Sequence, residues 1–175
     1  FVIMAKYMTK GIVGWVENKL ESRFGLTVNR EKTKVVNLND PKAKLKFLGY
    51  ELRRVPIRYR QHVSMCLITP AGKSLTKAQG KVSEITNSSN GFKPINMIVK
   101  ELNQFLIGWG NYFKLGHPGK AFSKINNHVR ERMYKFLQRR SQKGFKKPNK
   151  SQSWYSYTQE LGVIQLTKQA VRVKA

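Results

Sequence analysis

The chain has 175 residues, with 34 Lys and Arg against 9 Asp and Glu, a formal net charge of +25. Hydrophobic residues make up 40%, including 3 Trp, 7 Tyr and 9 Phe, which is enough to bury a core and argues against a disordered basic tail. No apolar run approaches the roughly 18 residues of a membrane span, and Phe1-Val2-Ile3-Met4-Ala5 is too short, and lacks the basic flank, for a signal peptide.

Phe1 to Ala5 reads as a strand already under way; the first residue is not Met, so the expectation is a chain that begins inside a longer reading frame or after processing. From Met8, the apolar positions Met8, Ile12, Trp15, Val16, Leu20 and Phe24 recur at helical spacing, and Gly25 suits the left-handed position past the end. Leu26-Thr27-Val28 and Val35-Val36 are short β-prone pieces. After an Asp40-Pro41 turn, Phe47 to Leu52 reads as a hairpin strand, and His62 to Thr69 as a second strand. At Thr69-Pro70 the period changes. Thr69 is a good N-cap, Pro70 is tolerated in a first turn, and Leu75, Ala78, Val82 and Ile85 mark a helical face.

Asn87 to Gly91 forms a loop, and Pro94 opens a second helix with apolar Ile95, Ile98, Val99, Leu102, Phe105, Leu106 and Trp109. His117-Pro118-Gly119 precedes a third, with Phe122, Ile125, Val129, Met133, Phe136 and Leu137. Ser141 to Ser153 is a basic linker, and Trp154 to about Leu166 is a short apolar segment able to dock. The expected fold class is α+β: helix and antiparallel strands in residues 1–69, a three-helix bundle in 70–140, and a linker with C-terminal segment in 141–175.

The acids are Glu17, Glu21, Glu31, Asp40, Glu51, Glu84, Glu101, Glu131 and Glu160. Glu17 and Glu21 sit four apart on the first helix and look like solvent-facing partners of basic residues. No two acids lie together on a strand end, as a two-metal site requires. His62, His117 and His128 have no metal-ligand spacing. The lone Cys66 excludes an intrachain disulfide and a Cys-based zinc cluster, and fits a reducing, cytoplasmic location. The chain therefore reads as a binder, or as a piece of an enzyme with no catalytic residues of its own.

Such a charge favours a polyanion, above all nucleic acid. One cluster comprises Lys42, Lys44, Lys46, Arg53, Arg54, Arg58 and Arg60, opposed only by Glu51. Another comprises Lys124, Arg130, Arg132, Lys135, Arg139, Arg140, Lys143, Lys146, Lys147 and Lys150, opposed only by Glu131. A charge run is commonly a solvated face, but two runs with so little compensating acid point to phosphate contacts. Tyr50 and Tyr59 are candidates to stack on bases, with half-buried packing the preferred alternative.

Several segments resemble a known family. Phe1-Val2-Ile3, Gly25-Leu26-Thr27-Val28-Asn29-Arg30-Glu31-Lys32-Thr33-Lys34 and Phe47-Leu48-Gly49-Tyr50 resemble the last palm motifs of group II intron reverse transcriptases. Gly108-Trp109-Gly110-Asn111-Tyr112-Phe113 is similar to the signature of their maturase-specific domain. The order agrees along roughly residues 1–140. The resemblance implies the end of a palm followed by a three-helix thumb and maturase bundle. It implies a parent active in RNA splicing, intron homing and RNA-directed DNA synthesis, with Mg²⁺ bound by carboxylates upstream of Phe1 and no endonuclease module on this chain.

By position, the resemblance sets Asn29 and Lys32 near the incoming nucleotide and Phe47, Leu48, Gly49 and Tyr50 in the primer grip. From the residues alone, Lys32 is a surface Lys in a turn, and Gly49 marks either close approach to nucleic acid or a bulge. Trp109, Tyr112 and Phe113 read as core rather than a stacking platform, with Asn111 and Lys114 facing RNA. Arg130, Arg132, Lys135, Arg139 and Arg140 form the expected RNA-facing ridge. The implied partners are group II intron RNA, a template–primer duplex and, for a split enzyme, the remaining palm and fingers in trans. A standalone basic RNA- or DNA-binding protein is the alternative.

Overall fold

The structure, a computed structural model, describes residues 2–57, 59, 63–140, 145–147 and 152–167. Residues 2–5 have no regular structure. The strand expected there lacks a partner ladder among the described residues, and Phe1 lies outside them. Helix α1 spans Lys10–Asn18; the Thr9 hydroxyl caps it by accepting from the Ile12 N–H at 3.4 Å. It widens into a π turn at Lys19–Arg23 and stops where Gly25 adopts φ +62°. Of the expected apolar positions, Ile12, Trp15 and Val16 lie on α1, Leu20 lies in the π turn and Phe24 just past it, and none of them or Met8 is buried.

Leu26–Val28 and Val35–Val36, expected as strands, belong to an irregular segment. A β-prone residue forms a strand only where another strand completes its hydrogen bonds, and none adjoins them among the described residues. Asn29 shapes a turn instead: its side-chain carbonyl accepts from the Lys32 N–H at 3.0 Å, and its main-chain carbonyl accepts from the Thr33 N–H at 3.0 Å.

Strands β1 (Leu45–Phe47), β2 (Tyr50–Pro56) and β3 (Ser64–Pro70) form an antiparallel sheet in that order. The β1–β2 connection is two residues long, with Phe47 paired to Tyr50 and positive φ at both Leu48 (47°) and Gly49 (78°). Those angles match the right-handed twist of the flanking strands. The change to helix comes later than expected. Thr69 pairs with Glu51 inside the ladder, so Ala71 becomes the N-cap of α2 (Gly72–Ile85) and contributes no side-chain bond. The strand-to-helix corner is tied back to the hairpin by Ala71 N–H and Ser74 Oγ, which both donate to Gly49 O, at 2.8 and 2.9 Å.

Helices α2, α3 (Ile95–Phe113) and α4 (Gly119–Arg139) form the bundle. Their stripes at three- and four-residue spacing meet in one core containing Val82, Ile98, Leu102, Leu106, Phe122, Ile125 and Met133. The tail closes it. Helix α5 (Trp154–Glu160) packs on α4, and Val163 and Leu166 enter the core. Two asparagine amides hold the extended end. Asn103 donates to Gly162 O at 2.8 Å and accepts from Ile164 N–H at 3.0 Å; Asn126 does the same for Leu166 O and N–H, at 3.0 Å each.

The sheet meets the bundle at the end of α3. Tyr50 Oη donates to Tyr112 O, Tyr112 Oη donates to Leu48 O at 2.9 Å, and the Tyr50 and Phe113 rings lie 5.0 Å apart. Gly116, at φ +73°, presses on β3 so closely that a Cβ there would lie 2.6 Å from Ile68 O.

Candidate nucleic-acid interface

Because α4 buries one side against α2, α3 and the tail, its polar residues are sorted by the helical period. Lys120, Lys124, Lys135 and Arg139 are exposed. Their separations of four, eleven and four residues are one, three and one turns, so they follow one line of the helix, with Glu131 the acid on it. Among the described residues, no cation of α4 enters an ion pair. Lys73 and Lys77 add two exposed charges one turn apart on α2.

The five residues expected as one ridge do not share one side. Arg130 lies over the Tyr155 ring at 5.8 Å and donates to Asn127 Oδ1 at 2.6 Å. Arg132 turns toward α2, where Nη2 donates to Ser83 O at 3.1 Å and Thr86 O at 3.2 Å, and Nε donates to Thr86 Oγ1 at 3.2 Å. It thereby satisfies carbonyls at a helix C-terminus and places positive charge at the negative end of that helix dipole. Arg140 donates to Gly91 O at 3.1 Å and Lys93 O at 2.9 Å, closing the loop before α3. Lys135 and Arg139 alone of the five are exposed and free of side-chain partners among the described residues. Periodicity placed all five on a polar helix surface, but could not show which long side chains fold back onto neighbouring carbonyls.

The hairpin gathers the earlier cluster only in part. Lys44 pairs with Glu51 at 3.7 Å, and Lys46 lies opposite Glu51 in the ladder. Arg53 is exposed, while Arg54 donates to Asn39 and Ser64. Lys42 sits exposed after the Asp40 turn. Arg58, Arg60, Lys143 and Lys150 lie outside the described residues. Phe47 and Leu48 are exposed at the turn, beside Gly49, whereas Tyr50 is half-buried. Burial, followed by the neighbouring Tyr112, raises the Tyr50 pKa against the pull of a backbone hydrogen bond at Leu115. Tyr59 is 90% exposed.

Phe113 is buried and Trp109 half-buried in the aromatic group that includes Phe122, whereas Tyr112 remains exposed. Asn111 is half-buried and Lys114 exposed at the same end of α3, both without side-chain partners among the described residues. Lys146 is exposed; Lys147 lies 5.3 Å over the Trp154 ring and donates to Gln152 O. Asn29 and Lys32 form their own exposed turn, with no bond to the hairpin among the described residues.

No three His, Cys, Asp or Glu side chains converge among the described residues. Among the described residues, no helix is long and apolar enough to cross a membrane.

In comparison with known families, residues 75–154 match the family described as group II intron, maturase-specific domain. That stretch runs from within α2 through α3 and α4 to the first residue of α5. No curated protein matches the chain.

Proposed function

We propose, on the premise that residues 75–154 are a group II intron maturase-specific domain, that this chain binds group II intron RNA and promotes splicing by holding the folded intron. The observation that carries the reading is the family match falling on a bundle whose α4 cations enter no ion pair among the described residues. Exposed Lys and Arg attract the phosphate backbone without reading sequence, so affinity comes from charge and specificity from the shape of the folded RNA. The β1–β2 hairpin, with its exposed Phe47 and Leu48, is a candidate grip on a template–primer duplex in a complete reverse transcriptase. In such an enzyme, Mg²⁺ would be held by carboxylates other than those described here. A cytoplasmic, RNA-associated location follows from the same reading.

The test uses the full chain and a group II intron transcript, measuring both salt-dependent binding and the yield of spliced exons. The expected result is binding that outcompetes an unstructured RNA of equal length, together with an increase in splicing. Equal affinity for both RNAs with no effect on splicing would favour a general basic nucleic-acid binder. Extension of a primer by the chain alone with Mg²⁺ would contradict its assignment as a binding portion.

A further inference from the structure

Between the C-terminal end of α2 and the last turns of α4 lies a hollow of about 170 Å³. Arg132, Lys135 and Arg139 line it, Asn87 and Ser88 contribute polar groups, and no carboxylate takes part. Buried Phe136 backs it. The three cations differ in how they are held. Lys135 and Arg139 are exposed and without side-chain partners among the described residues, whereas Arg132 is fixed by three hydrogen bonds to Ser83 and Thr86. Those bonds use Nε and Nη2, leaving Nη1 with two N–H donors and no protein acceptor among the described residues.

We propose that this hollow is a phosphodiester site, seating one backbone phosphate of folded RNA between Arg132, Lys135 and Arg139. Three neighbouring positive charges repel one another unless an anion joins them, and a guanidinium already fixed in place loses little freedom when it donates to phosphate. The Asn87 side-chain N–H₂ suits a remaining oxygen, since Ser88 Oγ and the Ser89 N–H donate to Asn87 Oδ1, at 3.2 and 3.1 Å, and so fix that amide. The inference rests on the RNA-binding reading above and sharpens it from a charged surface to one address.

Two double variants of the full chain separate the possibilities. Lys135→Gln with Arg139→Gln removes the mobile cations of the hollow. Lys73→Gln with Lys77→Gln removes the same charge near the opposite end of α2. None of these four side chains has a partner among the described residues, so both variants should melt like the parent. Binding to a group II intron transcript is followed across a salt series. The Lys135/Arg139 variant should bind more weakly at low salt and flatten the slope of log affinity against log salt by about 1, with a smaller change for the Lys73/Lys77 variant. Equal flattening in both would overturn the site in favour of undirected charge. Strong parental binding with an unchanged slope in the Lys135/Arg139 variant would overturn the site while leaving RNA binding intact. A parent chain with no affinity for the transcript would overturn both.

Discussion

Helices α1 and α4 carry the same kind of sequence pattern and meet opposite fates. Both place apolar side chains at three- and four-residue spacing. In α4 that side vanishes into the core, with Ile125 and Met133 fully buried, whereas in α1 Trp15 remains 64% exposed. Amphipathicity identifies the side of a helix that gains from cover; it does not supply the cover. The cover of α4 comes from α2, α3 and a tail that returns across more than thirty residues of sequence. Nothing comparable reaches α1 among the described residues.

The sharpest test of this contrast is a pair of truncations. Phe122→Ala should destabilise the bundle by about 3–5 kcal/mol, whereas Trp15→Ala should stay within about 0.5 kcal/mol. Denaturant midpoints check both, and equal losses would mean that the two helices share one core. Gly116→Ala should cost about 2–3 kcal/mol, since it forces a side chain into a left-handed backbone and against Ile68. Gly25→Ala, with φ +62° and open space around it, should cost only about 1–2 kcal/mol. Thermal melts compare the pair.

Arg132→Ala should cost about 1.5–3 kcal/mol by freeing the α2 carbonyls, while Arg139→Ala should leave the melting temperature unchanged. This difference separates a cation that holds the bundle from one available to a partner. The smallest effect concerns alkali. Burial, with a lesser contribution from Tyr112 at Tyr50 and from Glu160 at Tyr157, raises both phenols above their ordinary pKa of 10.0. Above pH 10 the unfolded chain releases protons that the folded chain retains, so stability falls as pH rises; below pH 10 this contribution is complete. Tyr157→Phe should reduce the alkaline slope of the denaturant midpoint.

The same contrast marks what could be read from the sequence. The core helices were legible because their apolar period is long and uninterrupted: Val82, Leu102 and Val129 are buried as that period requires. The strands expected at Leu26–Val28 and Val35–Val36 failed because pairing is a property of two segments, and propensity describes one. Thr69 looked like a cap for the same local reason, while its ladder to Glu51 carried the strand past it. In the candidate interface, charge density was visible but its division was not. Arg132 and Arg140 reach main-chain carbonyls more than forty residues away, contacts that no local spacing encodes. The hollow was equally hidden, since Asn87 and Ser88 come from a loop with no charge of its own.

The return of the tail has a consequence for biosynthesis. Val163 and Leu166 complete a core whose other walls were translated much earlier, and the asparagines that receive them, Asn103 and Asn126, wait on α3 and α4. At roughly 5–20 residues per second, the ribosome adds the forty residues between Asn126 and Leu166 in seconds. During that interval the core walls that Val163 and Leu166 cover lack that cover. A chaperone that shields those walls would act within that window.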